Sequence, residues 1–330
     1  MERFAYGCPA DMKETLAEGR VPDTVFLAGG TELLNWLRLG IAKPARVIDI
    51  SRLDGLTGVT RLPDAGLRIG ALTRLNDVAL NEDVARDYPV LSEAILKSAS
   101  AQLRNLATVG GNPLQKTRCG YFRAEDILPC NKRKPGSGCS AVNGINDKHA
   151  IFGWTEACVA TQPSDPAAAL AALDSIYVTE HRDGGRRIKA EEFHTLPGDR
   201  PEIENTLRAG ELIVAIELGG AAPHSAYLKL RERESYEYAI VSAAVALDLE
   251  GGRIHRARIA LGSVAHKPWR LTETESALAG VATSNTSAIR NAIDASFAAA
   301  KPLSHNAYKV PLAKNAAARA IRLAAARTPP

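Results

Sequence analysis

Two kinds of residue in this 330-residue chain stand at spacings that could do chemistry: glycines where a strand turns into a helix, and cysteines gathered in one stretch. The first glycine loop reads Phe26-Leu27-Ala28-Gly29-Gly30-Thr31-Glu32 and leads into a helical segment whose Leu33, Leu34 and Leu37 can face a sheet. A diphosphate needs backbone N–H groups aimed at it with no Cβ in the way, and a helix N-terminus supplies them with a favourable dipole. Thr31 can add a hydroxyl donor and cap the helix. The loop has neither the G-x-G-x-x-G spacing of a dinucleotide fold nor the G-x-x-x-x-G-K of a P-loop, so a plain strand-to-helix turn competes with the phosphate reading. The second loop, Thr108-Val109-Gly110-Gly111-Asn112, follows a helical segment, where Gly110 is equally a natural helix stop.

Cys8 stands apart, while the other four cysteines follow the pattern Cys119-x10-Cys130-x8-Cys139-x18-Cys158. Clustered cysteines in a chain without a secretion signal read as metal or cluster ligands before disulfides. No C-x2-C pair occurs, which weakens a structural zinc. Four thiolates from an irregular loop can surround a cubane cluster, whose ligands need not be adjacent in sequence; unrelated thiols or disulfides are the third option. Lys132, Arg133 and Lys134 lie between two of the cysteines and are expected to offset the charge of a thiolate-ligated cluster. His149 lies in the same stretch but at no metal-ligand spacing and is expected to be structural or solvated. Cys8 is expected to be a buried or incidental thiol. No Ser-His-Asp or Cys-His arrangement can be argued from spacing.

The elements that must position these residues begin with a βαβ unit. A helical stretch near Asp11–Glu18 precedes a strand Thr24–Ala28, a helix Thr31–Leu39 and a strand Arg46–Asp49, which implies parallel strands. After a turn at Pro63-Asp64-Ala65-Gly66 comes a strand Leu67–Ala71. Apolar residues at Leu91, Ile95, Ala99, Leu103 and Leu106 then keep a helical period up to the second glycine loop. From Cys119 to about Gly153 the pattern dissolves into Gly, Pro, Asn, Lys and Arg, and a bound metal group would explain so long an irregular loop. An Ala-rich helix Pro166–Leu173, strands Ile176–Thr179 and Leu212–Glu217, and a linker at Gly219–Pro223 follow. Beyond them, Ala239–Leu249 and Arg253–Leu261 flank Glu250-Gly251-Gly252 as an antiparallel pair. The closing helix Leu312–Arg327 is read as one packed and one solvated face.

Composition sets bounds on all this. The length suits two cores, or two plus an insertion. Apolar residues are 45%, charged residues 24% and the net charge is +4, ordinary globular values that give no reason to invoke a nucleic acid. No stretch approaches the roughly 20 apolar residues of a membrane span, and the N-terminus lacks a signal-peptide pattern, so folding in the cytoplasm is expected. Aromatics are only 5% and Ala and Leu abundant, so helices are expected to pack through small and aliphatic side chains.

In order and wording the two glycine loops resemble those of the FAD-binding middle subunit of the molybdenum hydroxylases, the family of xanthine dehydrogenases, carbon monoxide dehydrogenase and bacterial aldehyde oxidoreductases. The resemblance runs almost the full length. It implies that the stretch Phe26, Leu27, Ala28, Gly29, Gly30, Thr31, Glu32 and Leu33 wraps the FAD diphosphate, and that Thr108, Gly111 and Asn112 line the flavin nucleotide. The family's Ser-Asp pair corresponds to Ser164-Asp165, with Asp165 suited to a ribose hydroxyl or the adenine end, although Asp before Pro166 is equally a helix cap. The family's lysine corresponds to Lys229 in Tyr227-Leu228-Lys229-Leu230, suited to the flavin's N1–C2 region and otherwise a solvated strand lysine; Ile213 joins the implied cofactor set.

The fold implied is α+β: a two-part FAD-binding domain of the vanillyl-alcohol-oxidase (PCMH) type plus a C-terminal α+β domain of the carbon monoxide dehydrogenase flavoprotein type. The divisions would be residues 1–55, residues 56–220 with an insertion at about 115–158, and residues 221–330. Most flavin subunits of the family lack the cysteine insertion. Here it is similar to that of two sub-lineages with a 4Fe–4S cluster, the heterotrimeric aldehyde oxidoreductases and the 4-hydroxybenzoyl-CoA reductase type. The wording Asn131-Lys132-Arg133 and Pro135-Gly136-Ser137-Gly138-Cys139 resembles the former more, and implies Cys119, Cys130, Cys139 and Cys158 as ligands. The implied function is an electron-transfer subunit with no catalytic residue of its own. Its implied partners are a large molybdopterin subunit, a small 2Fe–2S subunit and an external electron acceptor. A subunit without a signal can also be exported to the periplasm, already folded, beside a partner that has one.

Overall fold

The structure is a computed structural model and describes residues 1–328, in which twelve strands form three sheets. β1 (Ala5–Gly7), β2 (Thr24–Leu27) and β3 (Arg46–Asp49) make a parallel sheet in the order β1-β3-β2. The helices Met12–Gly19, between β1 and β2, and Leu33–Arg38, between β2 and its neighbour β3, are the crossovers that parallel strands require. Asp11 caps the first, its Oδ1 accepting from Glu14 N at 2.8 Å. β1 escapes a reading by pattern because its three residues carry no apolar alternation.

The second sheet is antiparallel, in the order β4-β5-β8-β6-β7, from β4 (Val59–Arg61), β5 (Leu67–Gly70), β6 (Ile176–Glu180), β7 (Arg186–Lys189) and β8 (Leu212–Leu218). β8 lies at its centre and is buried along its whole length, so its run Leu-Ile-Val-Ala-Ile-Glu-Leu shows no alternation. The helix Asp165–Ala172, every residue of which is buried, shares one core with this sheet; its alanines let neighbouring backbones come close.

β9 (Ser225–Leu230), β10 (Val241–Glu250), β11 (Arg253–Gly262) and β12 (Trp269–Arg270) form the third sheet, also antiparallel, in the order β12-β11-β10-β9. Gly251 and Gly252, at φ 54° and 77°, make the two-residue turn between β10 and β11. The last helix, Lys309–Ala325, buries Ala313, Ala316, Ala317, Ala320 and Ala324 on one face, as the small-residue composition suggests. No described helix is long and apolar enough to cross a membrane.

One expected element divides. The apolar period from Leu91 to Leu106 spans two helices, Pro89–Leu96 and Ala101–Arg104, because Ala99 adopts a left-handed backbone at φ 46° and Ser100 starts a new helix, its Oγ accepting from Leu103 N at 3.3 Å. The linker Gly219–Pro223 joins β8 to β9 and is tied down: Ala222 N donates to Asp87 O at 2.8 Å and the Tyr88 hydroxyl donates to Gly219 O. The cysteine stretch is irregular apart from turns and the one-turn helix Gly120–Arg123.

Candidate cofactor cradle and thiol site

A cavity of about 590 Å³ lies where the first glycine loop, the second glycine loop and the end of β8 converge. Of the residues expected to hold a cofactor, Phe26, Ala28, Gly29, Gly30, Thr31, Glu32, Leu33, Thr108, Gly111, Asn112, Asp165, Ile213 and Lys229 line it, and Leu27 and Ser164 do not. Leu27 packs instead with Leu33, Leu37 and Val47. Ser164 stands behind the wall. Its Oγ donates to Asn112 Oδ1 at 2.5 Å and accepts from Ala167 N at 3.0 Å, so it fixes the second loop and caps the helix Asp165–Ala172.

The glycines are demanded by more than an anion. A Cβ on Gly29 would sit 1.9 Å from Leu106 O, so the two loops are pressed together at that point. Gly30 has φ +70°, the left-handed region that favours glycine. Among the described residues the N–H groups of Gly29, Gly30 and Thr31 find no acceptor. Thr31 does not cap the helix as expected, because the helix begins at Leu33 and Glu32 takes the cap position without a side-chain cap bond. Gly110 is no helix stop either. The preceding helix has already ended at Arg104, and Gly110 N donates to Ala71 O at 2.9 Å, in a place where a Cβ would lie 2.7 Å from Ala71 Cβ.

At the cavity's wall Lys229 and Asp165 form an ion pair, Nζ to Oδ2 at 2.7 Å, with side chains only 2% and 4% exposed. Tyr227 and Lys229 alternate onto one face of β9, and the Tyr227 hydroxyl donates to Asp165 Oδ1 at 2.5 Å. Lys229 Nζ also donates to Lys97 O at 3.0 Å. Burial pushes the Asp165 carboxyl up, and the Lys229 ammonium and Tyr227 hydroxyl oppose it. Lys229 is thus no solvated lysine, and the cap is Ser164 instead of Asp165.

Sequence reasoning missed the loop between β9 and β10, whose Tyr236, Glu237 and Tyr238 line the cavity, and it missed Trp36 and Arg118. The Arg118 guanidinium lies 4.4 Å from the Tyr238 ring centroid. Two tyrosines two positions apart in a chain with 5% aromatics were the available signal.

The second site gathers Cys119, Cys130, Cys139 and Cys158 around one narrow void. All four are free thiols. Backbone N–H groups point at three of the sulfurs: those of Tyr121 and Phe122 at Cys119, of Lys132 and Arg133 at Cys130, and of Ala160 at Cys158. Burial pushes the Cys119 thiol up to about 11 and the Cys158 thiol up to about 12, and neighbouring cysteines add to both rises. Among the described residues no group of three or more His, Cys, Asp and Glu is set to hold a single metal ion. Cys8 is exposed instead of buried.

Two expectations around this site change. Only Lys132 of the three cations lines the void; Arg133 turns to the carbonyls of Ala124 and Leu39 at 2.7 and 3.3 Å, and Lys134 is exposed. His149 is neither solvated nor remote: it is buried, with Nε2 3.2 Å from Cys119 Sγ, and burial lowers its pKa to about 4. Sequence spacing could not show this, since residues 119 and 149 meet only through the loop's tertiary path.

Two clamps join the insertion to the rest. Glu32, beside the first glycine loop, accepts from Arg118 at 2.8 Å and Arg123 at 2.5 Å, residues that bracket Cys119. Glu204 accepts from Lys132 at 2.7 Å and from Lys116. Burial works against the Glu204 carboxylate, but the two ammonium groups outweigh it and hold its pKa at about 2.

Comparison with known proteins fits this arrangement. Residues 2–219 match the family described as the FAD binding domain in molybdopterin dehydrogenase, and residues 225–324 match the CO dehydrogenase flavoprotein C-terminal domain. The chain is 43% identical over 335 residues, 99% of this chain and 100% of the relative, to the aldehyde oxidoreductase FAD-binding subunit PaoB of Escherichia coli (strain K12). It is 29% identical to the carbon monoxide dehydrogenase medium chain of Hydrogenophaga pseudoflava, covering 98% of each. In structure it is similar to a carbon monoxide dehydrogenase chain from Hydrogenophaga pseudoflava, with TM-score 0.75, 27% identity and coverage of 98% and 97%. Fold and cavity together define an FAD-dependent oxidoreductase subunit. The chain belongs to the FAD-binding medium subunits of the molybdenum hydroxylase family, and within it is aldehyde-oxidoreductase-like.

Proposed function

We propose that this chain is the electron-transfer subunit of a molybdenum-dependent aldehyde oxidoreductase, holding FAD in the large cavity and a 4Fe–4S cluster on Cys119, Cys130, Cys139 and Cys158. It takes electrons from a small 2Fe–2S subunit, itself served by a large molybdopterin subunit, and hands them to an external acceptor. The division into residues 1–55, 56–220 and 221–330 belongs to this reading.

The observation that carries the cluster is the convergence of four free thiols on one void, three of them facing backbone donors. Such donors stabilise thiolate charge, and a cubane spreads its ligands more widely than a single zinc, which accords with thiols that are gathered but not set for one ion. For FAD, the unpaired N–H groups of Gly29–Thr31 suit a diphosphate. Phe26, Leu72 and Ile213 give the cavity apolar walls, and the Lys229–Asp165 pair supplies a buried cation at its side. Bound FAD supplies the capacity to accept electrons and release them onward; this chain's residues bind it, orient it and exclude water. No side chain here is assigned to the aldehyde.

The test is cofactor analysis of the native complex. One FAD and about four iron with matching acid-labile sulfide per chain are expected, with absorbance that bleaches on reduction. Stoichiometric zinc without a flavin spectrum would sink the reading.

A further inference from the structure

The sulfur of Cys119 differs from the other three. Besides the backbone donors it faces a side chain, His149, whose Nε2 lies 3.2 Å from Sγ and which is the one side-chain hydrogen-bonding partner of the four sulfurs among the described residues. The backbone that carries the imidazole is held firmly: the His149 N–H donates to Asn146 O at 3.1 Å, and its carbonyl accepts from Asn306 Nδ2 at 3.1 Å and from the buried Lys309 Nζ at 2.9 Å. Nδ1 is buried without a hydrogen-bond partner among the described residues, so Nε2 is the nitrogen to which the fold has given one.

We infer that His149 is a positioning residue for the iron–sulfur centre, its Nε2–H donating to the Cys119 sulfur and raising the reduction potential of the cluster. The inference rests on the cluster reading given above. A metal-bound thiolate can only accept, which places the proton on Nε2. Reduction adds negative charge to the cluster and its sulfurs, so a fixed donor stabilises the reduced form more than the oxidised one. One such bond to a charged acceptor corresponds to about a tenfold change in the reduction equilibrium, or roughly 59 mV for one electron. The same clamp links the cluster to the C-terminal helix, because Asn306 and Lys309 belong to that end of the chain.

The experiment is a redox titration of the 4Fe–4S EPR signal in the purified complex, with iron content measured alongside, for the wild type, His149→Leu and His149→Gln. A fall in potential for His149→Leu, with recovery of most of it in His149→Gln, whose amide restores an N–H donor, is expected. An unmoved potential, or equal shifts in both variants, would overturn the inference while leaving the cluster in place. If His149→Leu fails to hold iron, pulsed EPR on the wild type with 15N-labelled histidine decides: a weak histidine nitrogen coupling supports the bond, and no coupling or the strong coupling of a direct ligand overturns it. A wild-type complex without iron would sink the cluster reading itself.

Discussion

The cofactor cradle and the thiol site lie side by side and are made of different material. In the cradle, residues stand at the ends of regular elements: Ala28 follows β2, Ile213 lies on β8, Lys229 on β9, and Asp165 opens a helix. Register and sheet order place them. Around the thiols there is little but turns, held by side chains that reach across long separations, such as Lys132 and Lys116 to Glu204, Arg118 and Arg123 to Glu32, and Lys309 to the carbonyls of Lys148 and His149. A scaffold of strands can keep its geometry without its ligand. A loop of turns depends on each clamp and on whatever the thiols hold. The two sites should therefore fail differently.

The largest effect is expected at the point where the cradle's loops touch. Gly29→Val places side-chain atoms into the Leu106–Ala107 backbone, so FAD should be lost almost completely and the melting temperature should drop; flavin absorbance and thermal unfolding read both. Undiminished flavin content would refute the diphosphate assignment. Next, Cys130→Ser should abolish iron and labile sulfide while FAD stays bound, since no cysteine lines the large cavity. Loss of both together would show that the Glu32 clamp, and not the strand scaffold, governs the cradle.

Lys229→Met is expected to cost about 3–5 kcal/mol of stability in chemical denaturation, because it leaves the Asp165 carboxylate buried and unpaired. Adding Asp165→Asn should recover much of that; strict additivity of the two changes would mean that the pair is not coupled. The smallest effect is acid sensitivity through Glu204. Its pKa lies below the ordinary 4.5, at about 2, so its contribution is present in full above pH 4.5 and fades as pH falls toward 2. At neutral pH it amounts to roughly 3 kcal/mol. The stability gap between wild type and Glu204→Gln should narrow over that window, and a gap that does not change with pH would count against the clamp.

Much of the cradle was legible. The strand Arg46–Asp49 begins and ends where its apolar residues suggest, the turn at Gly251-Gly252 needs glycine at both positions, and the two glycine loops reach one cavity. What escaped did so for identifiable reasons. β1 pairs through its backbone and shows no pattern; the break at Ala99 leaves the apolar period intact on both sides; Tyr236 and Tyr238 sit in a loop, where periodicity carries no information.

The cysteine stretch shows the division most sharply. Its composition alone marked an irregular segment rich in thiols and cations, because residue types determine which groups can ligate and which can carry charge. Which groups meet is another matter. That Lys132 turns inward while Arg133 and Lys134 turn away, and that His149 reaches Cys119, depends on how a chain without internal periodicity is folded back on itself by distant partners. Helices and strands repeat, so their faces can be read from residue order; a loop clamped by long-range hydrogen bonds has no repeat, and only the tertiary structure decides its neighbours.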